Sequence, residues 1–272
     1  NSSILDYSLH LLKTLVFSSH AHWDHTGDPS TFPPNTTLIV GPGTKSAFLP
    51  GWPTRPEAPV LASAFAGRKV DELSFDSTDL VIGGMRAIDY FGDGSFYLLD
   101  APGHAVGHLN ALVHTSVSPD TFMLLGGDVA LHGSQLRPNN NLPLPESIAL
   151  SGFTPDPCPG QRFEALHAHA CGTEPLMQIN PGKSSMTYDV AEANSTLRKV
   201  QDFDADDRVF VVIAHDYTLL DVMDFFPKEA NEWKAKGWKE EGRWRFLKDF
   251  QRAVELWGER EKVEPEIGRG EV

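Results

Sequence analysis

Residues 20 to 25 read His-Ala-His-Trp-Asp-His, which puts three imidazoles and a carboxylate within six positions. Imidazole and carboxylate are the ligands that suit zinc and related divalent cations. In an extended chain, His20 and His22 share one face. The turn implied by Thr26-Gly27 then aims Asp24 and His25 at a neighbouring point, so one short loop could serve two metal ions. Three more candidate ligands follow downstream, each at the end of a strand-length apolar run. His104 stands in Asp100-Ala101-Pro102-Gly103-His104, with His108 four residues on. Asp128 closes Gly126-Gly127-Asp128, and His215 opens His215-Asp216. The Asp128 carboxylate has two oxygens and can bridge two cations. His108 is expected to support its loop by hydrogen bonding rather than to bind metal.

The elements that must carry these groups can be read from hydrophobic patterning. Residues 14 to 18 form a buried strand that delivers the first loop, and Thr37 to Val40 form a second. Lys69 to Phe75, Leu80 to Ile82, Met85 to Phe91 and Phe96 to Leu99 are strand-length runs. Gly83-Gly84 and Asp93-Gly94 lie between them as hairpin dipeptides, so an antiparallel meander is predicted. Leu109 to Val117 and Phe122 to Leu125 continue it. Tyr188 to Gln201 carries Val190, Ala193, Leu197 and Val200 at helical spacing. Arg208 to Ala214 is a buried strand, Gln161 to Ala168 a short helix, and Lys239 to Trp257 one long amphipathic helix. Residues 133 to 185 are a loop-rich insertion, and 258 to 272 are a polar tail. The whole of 1–272 reads as a single α/β layered domain.

Composition narrows the classes. The 272 residues carry a net charge of −14, and no Lys/Arg cluster offers a phosphate-binding surface, so nucleic acid is not expected as a partner. No apolar run approaches the ~20 residues of a membrane span, and a membrane is not expected either. No signal peptide is visible. Two cysteines, Cys158 and Cys171, do not make a disulfide scaffold, and reduced thiols in a cytoplasmic enzyme are the expectation. The chain begins at Asn1 rather than Met, so its natural start is expected upstream. Three Asn-x-Ser/Thr triplets, at Asn1, Asn35 and Asn194, are read as chance.

The order His-x-His-x-Asp-His, Pro-Gly-His, Gly-Asp, His-Asp resembles the metallo-β-lactamase superfamily, over residues 14 to 216. His20 to Asp28 and Pro102 to His108 look most like the acyl-homoserine-lactone lactonases and their fungal relatives. The resemblance implies an αββα four-layer sandwich with a binuclear centre at one edge. It implies that His20, His22 and His104 hold one metal, that Asp24, His25 and His215 hold the other, and that Asp128 bridges them. Two departures stand out. The stretch after Asp128 reads Val129-Ala130-Leu131-His132, without the Tyr common in those lactonases. Only 19 residues precede His20, so the first sheet would lack strands. An upstream segment or a second copy of the chain would then cover the sheet edge.

The expected function is metal-dependent hydrolysis of a small-molecule lactone, ester or thioester. Two divalent ions, expected to be zinc, would supply a hydroxide nucleophile near neutral pH. Asp24 would orient it, and Asp128 would help pass a proton to the leaving group. His132 is a candidate substrate contact, and Trp23, Gln135, Arg137 and Phe153 are candidate rim residues. His10 and His114 are read as structural, His167 and His169 as surface groups. Glyoxalase II-like thioester hydrolysis and a mononuclear iron sulfur dioxygenase are the alternatives, with a non-catalytic binding protein last.

Overall fold

The structure is a computed structural model that describes residues 14–150, 153, 157–167, 171–182 and 185–257. The expectations for residues 4 to 13, His10, His169 and the tail 258–272 lie outside the described residues. Two compact units divide the chain: Asn1–Leu112 with Asn180–Thr196, and Val113–Ile179 with Leu197–Val272.

In the first unit, β1 (Leu15–Phe17), β2 (Thr37–Val40) and β3 (Val70–Glu72) form a parallel sheet in that order. Val16 pairs with Leu38, and Ile39 with Asp71. All four residues of β2 are buried, as a central parallel strand covered on both faces requires. The meander follows as β4 (Val81–Ile82), β5 (Met85–Asp89) and β6 (Phe96–Asp100). Gly83 and Gly84 take φ of 55° and 75°, the left-handed pair that a tight two-residue hairpin needs. Met85 and Ala87 point inward while Arg86 is exposed, the period of two expected for a strand with one covered face. Phe17 of β1 meets Tyr90 edge-on at 4.9 Å and Phe96 at 5.1 Å, so an aromatic cluster joins the two sheets of this unit. The next strand in the meander's sheet, β7 (Leu109–Val117), begins here. Leu109 N donates to Ser19 O at 2.8 Å, tying its start to the loop after β1.

In the second unit, β8 (Asp120–Leu125) lies between the end of β7 and β11 (Val209–Val212). β8 and β11 run parallel, with Val209 opposite Phe122 and Val212 opposite Leu125. Among the described residues of 133–185, β9 (Ser147–Ile148) and β10 (Cys158–Pro159) form an antiparallel two-stranded ribbon. Ile148 and Cys158 pair across it, and both enter a core cluster with Phe153, Phe163, Phe246, Leu247 and Val254. Cys158 and Cys171 are both free thiols. Among the described residues no helix is long and apolar enough to cross a membrane.

One expected element is broken. Lys239 to Trp257 is not one helix: a helix at Trp238–Gly242 is followed by a 3-10 stretch at Arg245–Phe250 and a short α-helix at 251–257. The cause is packing. Trp238 belongs to a cluster with Met123, Phe210, Leu219, Val222 and Trp233, whereas Phe246 and Leu247 belong to the cluster around Cys158 and Phe163. No straight helix serves both, and Gly242, pressed so close to Leu219 that a methyl there would overlap its side chain, offers a weak point between them.

The same helix buries a cation. Lys239 is 2% exposed, and its ammonium donates to Asp206 O at 2.5 Å and Val209 O at 2.6 Å. Burial pushes its pKa down to about 8, against the pull of Asp204 and Asp207 and with Arg243 and Arg137 adding to the depression. The unfolded amine titrates near 10.5. Between those values the unfolded chain holds a proton that the folded chain has released, so this site's contribution to stability rises with pH from about 8 to 10.5. Below that window both states are protonated, and the cost of burying the cation is constant. Lys239→Met is therefore expected to flatten the rise in the urea midpoint between pH 8 and 10; an unchanged slope would place the amine at its ordinary pKa.

Candidate metal centre

The first unit carries His20, His22, Asp24, His25 and His104. The chain leaves β1 still pinned to β2, because Ser18 N donates to Ile39 O at 3.0 Å. Ser18 Oγ donates to His20 O at 3.0 Å, and Ser19 Oγ lies 3.2 Å from His20 Nδ1. With Nδ1 engaged, Nε2 is the nitrogen this arrangement selects as a ligand atom. His22 has extended backbone and starts a single helical turn, Trp23–Thr26, its carbonyl accepting from His25 N at 3.0 Å and Thr26 N at 3.2 Å. Gly27, with φ of 52°, ends that turn. The turn sets Asp24 beside His25, with Oδ2 and Nε2 3.5 Å apart.

His104 enters on the Pro-Gly turn after β6, and its Nε2 lies 3.0 Å from His22 Nδ1. The rings of His20, His22 and His104 stand 4.7 to 4.9 Å apart, each offering a nitrogen within 4.8 Å of the others. His25 stacks obliquely on His20 at 4.3 Å. His20 and His104 are buried. This donor set is rich in imidazole and free of thiolate, which fits a divalent cation of the zinc type. His108 lies deeper, at 1% exposure. Its Nδ1 donates to Ala101 O at 2.9 Å, which fixes its tautomer and closes the loop that carries His104.

The second unit carries Asp128 and His215. The β8–β11 ladder continues past both strand ends: Gly126 N donates to Val212 O at 2.8 Å, and Ala214 N to Gly127 O at 2.9 Å. The residues that follow are therefore held side by side. Asp128 Oδ1 stands 3.3 Å from His215 Nε2, with Asp128 buried and His215 partly open. Asp216 turns away to cap the next 3-10 turn, accepting from Thr218 N at 3.1 Å.

Other candidates fall elsewhere. His132 caps the helix Gly133–Leu136, with Nδ1 2.6 Å from Ser134 Oγ and Nε2 2.9 Å from Asp249 Oδ2. Its ring meets Phe246 and Phe250 edge-on. Arg137 and Phe153 are corrected from rim to interior. Arg137 is buried against Asp204, and Phe153 packs into the Cys158 cluster. His167, read as a surface group, is buried at 8% exposure. His114 is structural as expected, stacked on Phe122 and bonded to Asp120 at 2.8 Å. Trp23 is exposed. Gln135 accepts from Leu131 N at 2.7 Å. The contact of Ser19 with the His20 ring was not singled out from the sequence; adjacency to a ligand was its only signal.

No protein-family model matches the chain. It is similar to a metallo-hydrolase of Annulohypoxylon moriforme, 45% identical over 256 residues that cover 93% of this chain and 66% of the relative. A gamma-lactamase of Fusarium pseudograminearum is 45% identical over 243 residues, 86% of this chain and 57% of the relative. A gamma-lactamase of Gibberella moniliformis is 49% identical over 190 residues, 68% of this chain and 78% of the relative. The chain thus spans less than two thirds of the length of the first two.

Proposed function

Because the chain belongs to the metallo-β-lactamase superfamily, in its lactonase-like branch, we propose that it is a metal-dependent hydrolase that opens a small cyclic carbonyl compound, a γ-lactam or a lactone. The observation that carries this reading is the convergence of His20, His22 and His104 in the first unit, with the 3.0 Å contact of His104 on His22. His20, His22 and His104 would hold one divalent ion. The resemblance assigns Asp24, His25 and His215 to a second ion and a shared role to Asp128, and that assignment rests on the sequence pattern. Bound metals would lower the pKa of water from 15.7 toward ~7 and polarise the substrate carbonyl.

The protein's own groups do the rest. Asp24 accepts a hydrogen bond from the attacking oxygen and orients it. Asp128, buried in the second unit, is the group suited to receive a proton and return it to the leaving atom. That return matters more for a lactam than for a lactone, because an amide nitrogen leaves as an anion only at high cost. Residue patterning pointed to lactone, ester or thioester hydrolysis and did not include an amide. The two relatives named gamma-lactamases add the cyclic amide to the proposal.

The test is elemental analysis of protein purified without added metal, together with hydrolysis of γ-lactams, γ-lactones, thioesters and β-lactams. About two divalent ions per chain, and turnover of a five-membered ring that is lost on chelation, are expected. One iron per chain with oxygen uptake on a persulfide would replace the hydrolase reading with the dioxygenase one.

A further inference from the structure

We propose that residues 188–196 are the positioning element of the His104 loop, with Thr196 as its positioning residue; this rests on the metal reading above. Three consecutive loop carbonyls are each taken by this one segment. Thr196 Oγ1 donates to Pro102 O at 2.7 Å. Asp189 N donates to Gly103 O at 2.8 Å, and Tyr188 N to His104 O at 2.9 Å. Gly103 has φ of 121°, and a methyl there would overlap the backbone N and Cα of Ala193. The loop backbone is thus seated directly on the first turn of the helix Val190–Ala205. Asp189 fixes that turn in its place, its carbonyl accepting from Ala193 N at 2.9 Å and its Oδ1 from Glu192 N at 3.0 Å.

Thr196 is the side chain that closes this clamp. A helical threonine ordinarily returns its hydroxyl to its own preceding turn. Thr196, at 1% exposure, instead gives it to a carbonyl 94 residues away in sequence, two positions before His104. Asn194-Ser195-Thr196 reads in the sequence as a glycosylation triplet. In the fold its threonine hydroxyl is internal, and Asn194 Nδ2 donates back to Val190 O at 2.8 Å. The threonine of the triplet is therefore part of the clamp. His22 holds its place through the turn at Trp23–Thr26, but His104 follows a Pro-Gly pair and takes its position from these three bonds and the closure by His108.

The measurement is zinc affinity, by competition with a chromophoric chelator, well below the melting temperature of each variant. Thr196→Val keeps the shape and removes the donor, and a loss of ~10-fold or more in affinity is expected, the range typical for groups that orient a ligand. Thr196→Ser restores the donor and is expected to bind within about threefold of the parent protein, whereas a purely structural role would leave affinity unchanged in both. Thr196→Val binding zinc as the parent does, while His104→Ala is impaired, overturns the positioning role. His104→Ala binding as the parent does overturns the metal reading itself. If Thr196→Val does not fold, Thr196→Cys, similar in volume and a weaker donor, carries the comparison: an affinity between those of the serine variant and His104→Ala supports the proposal, and parental affinity overturns it.

Discussion

Asp128→Asn is expected to yield a folded protein whose hydrolysis falls by more than the ~10–100-fold that loss of an outer partner of a metal ligand costs. The amide preserves volume at a buried position that the β8–β11 ladder sets beside His215, so the fold has no reason to change. What is lost is the charge. A neutral amide offers one carbonyl oxygen where the carboxylate offers two charged ones, and it cannot carry a proton to a leaving group. Metal content and rate are expected to fall together, and lactam turnover further than lactone turnover. Circular dichroism, elemental analysis and initial rates on both substrate classes check this. A variant with full metal content and full rate would remove Asp128 from the centre.

The candidate ligands stand out because chemistry and punctuation coincide in the sequence. His20 to His25 concentrate ligands within six positions, and the apolar run just before them is the strand Leu15–Phe17. Gly83-Gly84 announced its hairpin because only a φ above zero satisfies that turn. The helix at Tyr188 to Gln201 was visible from its period and is found at Val190–Ala205. What period could not show is a choice between partners. The stretch from Lys239 to Trp257 has helical spacing throughout, yet Trp238 and Phe246 are claimed by different clusters and the helix breaks between them. Arg137 looked like a rim cation because arginine is usually exposed. Its partner Asp204 is 67 residues away, beyond the reach of local pattern. Thr196 was hidden for the same reason, its acceptor lying in another loop.

Arg137→Met is expected to destabilise the protein by about 3–5 kcal/mol, the cost typical of removing one partner from a buried ion pair. Arg137 holds Asp204 with two bonds, Nε to Oδ2 at 2.5 Å and Nη2 to Oδ1 at 2.7 Å, and gives a third donor to Arg243 O at 2.6 Å. Both side chains are almost wholly buried. Burial alone would raise the Asp204 carboxyl, but Arg137 first, then Lys239 and Arg243, hold it below the usual carboxylate range. A carboxylate whose folded pKa is depressed contributes stability above its unfolded pKa of 3.8 and loses it as pH falls through the folded value. With methionine at 137, burial is no longer offset by the bidentate pair, and Asp204 must either stay charged at high cost or take up a proton. Lys239 and Arg243 remain close by and soften the loss without replacing the lost geometry. Removing both charges is a different perturbation. Arg137→Met with Asp204→Leu leaves no buried ion pair and is expected to recover most of the single-variant loss, because well-packed apolar replacements of buried pairs are often neutral. Urea unfolding of the parent, both single variants and the double variant at pH 7 gives the comparison. A single-variant loss below about 1 kcal/mol, or a double variant worse than the sum of the two singles, would show that the pair is not the buried, tightly coupled unit its geometry describes.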